Sequence, residues 1–315
     1  AGAIEQMSPE LKQGQKWQYW RARSHFELGE KQQGEAIFTE LKQHRSFYGF
    51  IAADYFDQSY QLNDKPILVD QTIFQQLLDN ISFKAAKEFL RLDREGLARQ
   101  EWWFAISDLD NEQYKVAAKI AQQWGWHPLA ISTIAKAKYW DDVDLRFPLV
   151  FQTQINKNAR VRGLDPAIIY GLIRRESAFN ENARSPVGAR GLMQIMPKTG
   201  KSIARSLNER WRSKRSLNNV DTNIKYGTFY YKKLLDGFGG NYAMAAAGYN
   251  AGPHRVKKWR PKKKPMSADI WIELIPFNET RKYVTAVLEY ALVYQARLER
   301  KSLKMSDFLK DVWPE

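Results

Sequence analysis

Apolar residues in this chain recur at spacings of three and four almost throughout, and no stretch alternates apolar and polar residues as a half-buried strand would. That pattern predicts a mostly α-helical protein. Over 315 residues it predicts more than one hydrophobic core. Residues 15–43 suggest a helical hairpin, with Trp20, Phe26 and Leu28 on a first helix, a break at Gly29, and Ala36, Ile37, Phe38 and Leu41 on a second. Ala22, Gly29, Ala36 and Phe38 also fit one unit of a stacking helical repeat, which would call for further units before residue 1. The plain hairpin and the repeat unit both remain open at this level. Residues 57–70 are polar, contain Pro66 and predict a connection. Amphipathic segments then recur at Ile73–Leu78, Ala85–Leu90, Trp102–Ile106, Val116–Trp124 and Ile131–Ala137. Trp102, Trp103, Trp124 and Trp126 suit inter-helix packing, with the lining of a sugar groove as the alternative.

Charge divides the chain. Residues 1–147 hold 18 Lys/Arg against 21 Asp/Glu, a balance of −3, and residues 148–315 hold 31 against 14, a balance of +17. Asp141, Asp142, Asp144 and Pro148 mark the boundary. The basic half calls for a polyanionic partner: nucleic acid, an acidic membrane surface or an acidic polymer. The absence of cysteine excludes disulfides and thiolate chemistry. The four histidines, His25, His44, His127 and His254, are too scattered to predict a metal site. No segment approaches the roughly 18 consecutive apolar residues of a membrane span.

One helix carries a candidate acid. Asp165 suits an N-cap and Pro166 the first helical position. Ile168, Ile169, Leu172 and Ile173 then form an apolar stripe that Glu176 continues, while Arg174 and Arg175 fall on other faces. A carboxyl on that stripe points into the protein or a cleft. Desolvation and the negative end of the helix dipole both raise its pKa, as a general acid requires. A buried Glu paired with an arginine would give the same pattern.

Four motifs follow in order. Arg175-Glu176-Ser177 precedes Ser185-Pro-Val-Gly-Ala and Gly191-Leu-Met-Gln-Ile-Met-Pro197; then come Ala246-Ala-Gly-Tyr-Asn-Ala-Gly-Pro253 and Ile275-Pro-Phe-Asn-Glu-Thr-Arg-Lys-Tyr-Val284. Gly188 and Gly191 permit a tight loop, Pro197 can open a helix, and Asn250-Ala-Gly-Pro253 reads as a helix stop. Their order and spacing over residues 148–300 resemble the soluble lytic transglycosylase family of the superhelical type, with its goose-type-lysozyme-like catalytic domain. The resemblance implies three parts: the end of an α-superhelix at 1–60, a helical linker domain at 61–147 and a lysozyme-like catalytic domain at 148–315. It also implies a chain shortened at its N-terminus relative to the family.

Carried over residue by residue, the resemblance makes Glu176 the single acid/base. It places Ser185, Met193, Gln194 and Met196 along the glycan groove, Tyr249 with its hydroxyl near Glu176 beside Asn250, and Glu279 at the sugar subsites. For Met193 and Met196, core packing is the alternative. The chain departs from the family's habit at Gly248, commonly Ala, and at Asn278, frequently Ser. The implied activity is non-hydrolytic cleavage of the β-1,4 bond between N-acetylmuramic acid and N-acetylglucosamine, leaving a 1,6-anhydromuramic acid end. It needs no cofactor or metal. Peptidoglycan strands would be the partner and the periplasm the location. Two other functions remain on the sequence: a lysozyme-like muramidase in which water attacks, and a basic helical-repeat protein that binds nucleic acid through Trp211, Tyr226, Tyr230 and Trp259.

Overall fold

In the computed structural model, which describes residue 4 and residues 6–315, helices dominate as the periodicity predicts. Among the described residues β pairing is confined to isolated bridges, Arg184 with Arg190, Arg190 with Ile195, and Met266 with Val312. The chain forms two compact units. One comprises the described residues up to Asn63 with Phe151–Glu176 and Glu181–Glu315, and the other comprises Asp64–Val150 with Ser177–Asn180.

The second unit is a helical layer built on Trp102. That side chain is fully buried, and its indole nitrogen donates to Thr133 Oγ1 at 3.0 Å. Its ring meets Phe83, Trp124 and Trp126 at centroid distances of 4.9, 5.6 and 6.0 Å. These tryptophans therefore pack between helices. Two capping features fix the layer locally. Asp110 and Gln113 form a capping box at the start of Asn111–Gln123. Buried Asp142 accepts from the amides of Ile67 and Leu145 and from Lys119, which ties the polar connection after residue 57 to the layer's far end.

In the first unit the hairpin is present as Gln15–Glu27 and Lys31–Leu41, with Gly29 at φ +76° between them. Leu28 lies after the first helix and is exposed; Tyr19 and Ala22 supply its buried face, with Phe38, Leu41 and Ala52. This N-terminal layer joins the C-terminal part of its unit through polar contacts. Tyr19 donates to Asp269 at 2.6 Å, Tyr48 to Glu273 at 2.8 Å, and the Phe47 amide to Glu289 at 3.1 Å.

Two helices organise the rest of the unit. Pro166–Ser177 is buried from Pro166 to Arg174, so it reads as apolar on nearly every face. It crosses Asn278–Arg297 at Gly171. A Cβ there would lie 2.9 Å from the Val287 carbonyl oxygen and 3.0 Å from the Ala291 amide, so only glycine lets the backbones approach this closely. The helices run in opposite senses from that crossing. Tyr170 stacks on Tyr294 at 4.7 Å on one side, and Glu176 meets Tyr283 on the other.

Candidate active site

Asp165 caps its helix as the sequence predicts, its carboxylate accepting from the Ala167 amide at 2.8 Å. At the far end of that helix Glu176 keeps partial access to solvent, yet protein atoms surround its carboxyl on most sides. Desolvation pushes it up to about 7, and nearby Glu279 adds to the rise. Two groups oppose the shift. Tyr283 donates to Glu176 Oε1 at 2.6 Å, and the Arg175 guanidinium acts through space. Arg175 therefore does not turn away, as periodicity suggests; it lies over the Tyr283 ring at 5.8 Å, on the acid's side of the site. Arg174 is the arginine directed elsewhere, buried over Tyr290 at 5.3 Å.

Tyr283 belongs to the last sequence motif, but nothing in its spacing singles it out. Its partner is 107 positions away, and only the crossing at Gly171 brings the two together. Tyr249, the tyrosine marked by the resemblance, donates instead to the Met193 carbonyl at 2.8 Å. Burial, and after it the nearby Glu176 carboxylate, raises its phenol well above the ordinary range.

The loop from Ala183 to Met196 is held by two devices. Gly191, at φ +74°, has no room for a Cβ beside Asn223 and the Leu217 carbonyl. Asn223, 1 % exposed, accepts from the Met193 amide at 2.8 Å and donates to the carbonyls of Arg190 and Leu217 at 2.9 and 2.6 Å. Asn223 carries no motif signal, and its role comes from the fold alone.

The loop residues expected along a groove take different positions. Met193 is fully buried, its side chain against Gly227. It thus occupies the core-packing alternative, and what it offers the site is its backbone carbonyl. Gln194, at φ +46°, donates its amide to the carbonyls of Ala183 and Gly191, closing the loop on itself. Ser185 Oγ accepts from the Ala189 amide at 3.0 Å. Met196 is 40 % exposed just before Pro197, which opens the Pro197–Ser206 helix. Asn250 accepts from Thr280 at 2.7 Å, tying the end of Tyr242–Ala251 to the turn that bears Glu279. Glu279 is exposed in the first turn of Asn278–Arg297.

The structure thus gathers Glu176, Arg175, Tyr249, Tyr283 and Glu279 around one carboxyl. Ser185 and Met196 stand on the loop that Tyr249 anchors. Gly248 has a reason of its own: a Cβ there would lie 2.9 Å from the Phe238 ring, so the departure from alanine makes room for Phe238.

A carboxyl held near neutrality can give a proton at physiological pH and, once ionised, is stabilised by a hydroxyl and a guanidinium. Among the described residues no cluster of three potential ligands could hold a metal ion. Of the aromatics that a nucleic-acid surface would need, Tyr226 is buried, whereas Trp211, Tyr230 and Trp259 are half-buried. Tyr230 packs on Tyr249 at 5.5 Å, Tyr226 donates to Glu209, and Trp259 meets Phe277 at 5.4 Å.

Comparison with known proteins gives a consistent result. Residues 153–272 match the Transglycosylase SLT domain, residues 77–143 the soluble lytic murein transglycosylase L domain, and residues 274–302 the soluble lytic transglycosylase helical domain. A soluble lytic murein transglycosylase of Salmonella typhimurium is 32% identical over 308 residues, 96% of this chain and 47% of that protein. The protein of the same description from Escherichia coli K12 is 30% identical over 306 residues, with the same shares covered. Among solved structures, an inactive mutant of lytic transglycosylase Slt from Pseudomonas aeruginosa superposes with a TM-score of 0.92 at 35% identity, covering 98% of this chain and 50% of that one. A 70-kDa soluble lytic transglycosylase complexed with bulgecin A superposes with a TM-score of 0.85 at 29% identity, covering 98% and 49%. The chain spans about half the length of the relatives it matches.

Proposed function

Since this chain belongs to the soluble lytic transglycosylase family, we propose that it cleaves peptidoglycan between N-acetylmuramic acid and N-acetylglucosamine with Glu176 as the single acid/base. The observation that carries this reading is the Glu176 carboxyl itself. It is desolvated to about 7 and bonded by Tyr283 at 2.6 Å.

The steps follow from those groups. Glu176, protonated, gives its proton to the glycosidic oxygen as the bond to the anomeric carbon breaks. The resulting carboxylate is held by the Tyr283 hydroxyl and Arg175. It then takes the proton of the C6 hydroxyl of the muramic acid, whose oxygen attacks the anomeric carbon. A 1,6-anhydro end forms, and Glu176 is protonated again. One carboxyl serves both half-reactions because water is not the nucleophile; a two-carboxylate hydrolase needs a second group placed for its own role. Glu279 is exposed, and its placement suits a contact with substrate.

Ser185, Gln194, Met196, Asn250 and Glu279 are proposed to border the glycan, with Met193 and Tyr249 shaping the loop from behind. The exposed Lys262, Lys263 and Lys264 suit the carboxylates of the wall polymer. Arg255 and Arg260 of the same basic run also bond backbone carbonyls within the unit. The three-part division at residues 60 and 147 is part of this proposal. The compact unit at 64–150 and the L-domain match at 77–143 support its middle part, while the helical-domain match, residues 274–302, falls on the long Asn278–Arg297 helix. Periplasmic location is proposed with the substrate; among the described residues no helix is long and apolar enough to cross a membrane.

The testing experiment is digestion of purified sacculi with mass spectrometry of the products. Anhydro ends are expected. Reducing ends would assign the chain to the hydrolytic muramidases.

A further inference from the structure

The Asn278–Arg297 helix bears Tyr283 near one end and Gln295 near the other, twelve residues or about 18 Å further along. At the Gln295 end the structure holds a cavity of about 300 Å³, lined by the stretch from Asp54 to Tyr60 on one side and by Leu292 to Lys304 on the other. This is the small end of the range of roughly 300–1,000 Å³ for ligand sites.

Its polar groups are unequally satisfied. Asp54 accepts from Tyr60 at 2.5 Å and from the Ser306 amide at 2.7 Å, and Asp57 pairs with Lys304 at 2.5 Å. The acidic side of the cavity is therefore already partnered. The donor side is not. Gln295 is 3 % exposed, and its Oε1 accepts from the Leu303 amide at 3.1 Å, which fixes the orientation of the amide group. Its Nε2 is buried and, among the described residues, has no hydrogen-bond partner. Exchanging the two ends would only transfer the deficit to the Leu303 amide. Lys301 is exposed at the rim. Arg300 is held loosely, 3.8 Å from Asp165. Leu292, Ala296 and Leu303 supply apolar wall between these groups.

An orphaned amide donor beside two cations and an apolar wall suits one chemistry: an anionic acceptor carried on a small apolar body. We propose that this cavity binds the C-terminal carboxylate of a short peptide with small side chains. The carboxylate meets Arg300 and Lys301, and a peptide carbonyl or carboxylate oxygen accepts from Gln295 after a slight opening of the wall. The site is separate from Glu176, and the proposal does not depend on the acid's role.

The test uses the full chain and two probes, N-acetyl-L-alanyl-L-alanine and N-acetyl-D-alanyl-D-alanine, titrated by calorimetry at low salt. At least one is expected to bind, with affinity falling about tenfold in Lys301→Glu, which alters only an exposed side chain. Gln295→Glu keeps an acceptor for Leu303 and removes the donor, so it is expected to weaken binding by a similar factor. Should that variant fail to fold, Lys301→Glu decides alone. Preference for the L,L probe points to polypeptide C-termini and preference for the D,D probe to peptides with D-residues; both support the site. No binding of either probe, or affinity unchanged in Lys301→Glu, overturns it.

Discussion

The Tyr283 hydroxyl donates a 2.6 Å hydrogen bond to Glu176 Oε1, joining two helices that cross at Gly171. This bond favours the ionised acid, whereas burial favours the protonated one, and burial prevails. Tyr283→Phe is therefore expected to move the alkaline limb of the pH–rate profile to higher pH, because the removed bond had held the carboxyl down. The same variant loses stabilisation of the carboxylate formed when the proton leaves. Hydrogen bonds to charged groups are worth about 1.5–3 kcal/mol, so turnover should fall roughly ten- to a hundredfold. An unshifted limb with wild-type turnover would reduce Tyr283 to packing.

Tyr249→Phe should behave differently. Its hydroxyl serves the Met193 carbonyl rather than the acid. The expected result is a loss of about 1 kcal/mol of stability with the pH limb nearly in place. A limb shift as large as that of Tyr283→Phe would mean that the two hydroxyls exchange roles during turnover.

Asn223 holds the loop through three bonds in a buried position. Asn223→Ala strands one amide and two carbonyls. At about 1–3 kcal/mol for each buried group left unsatisfied, a loss of more than about 3 kcal/mol is expected in chemical denaturation. A loss under about 1 kcal/mol would show that the loop rests on other contacts.

Glu176 also sets a pH dependence of stability. Its carboxyl is raised from 4.5 to about 7 in the folded protein. Between those values the folded chain holds a proton that the unfolded chain has released. Stability therefore falls as pH rises through this window, and the loss is complete above it. The cost is at most on the order of 3 kcal/mol. Glu176→Gln removes it, so the variant should melt above wild type at about pH 8 and close to it at about pH 4. Equal melting temperatures at both would show that the carboxyl is not desolvated.

Much of this site is legible in the sequence because it is local. Asp165 and Pro166 announce a helix start, the stripe from Ile168 to Ile173 points Glu176 inward, and Gly188, Gly191 and Pro197 mark a tight loop and its exit. What is missed depends on distant chain. Tyr283 meets Glu176 only because Gly171 lets two helices touch, and periodicity does not reveal which helices cross. Asn223 lies on an ordinary helical stretch. Met193 shares a motif with Met196, yet one is buried against Gly227 and the other exposed, with the left-handed backbone of Gln194 lying between them. Arg174 and Arg175 are adjacent, and which of them serves the acid is decided by where Tyr283 and Tyr290 lie.

The central claim is that one carboxyl does both proton transfers, and Glu176→Gln tests it most directly. The side chains are nearly isosteric, so the fold should persist, as a thermal melt will show. Glutamine can neither give the acidic proton nor take one from the C6 hydroxyl. General acid–base catalysis contributes about 10²–10⁴-fold, and here both half-reactions fail, so release of anhydromuropeptides from sacculi should fall by a factor at or above the top of that range. Release within about tenfold of wild type by the folded variant would contradict the assignment of Glu176 as the acid.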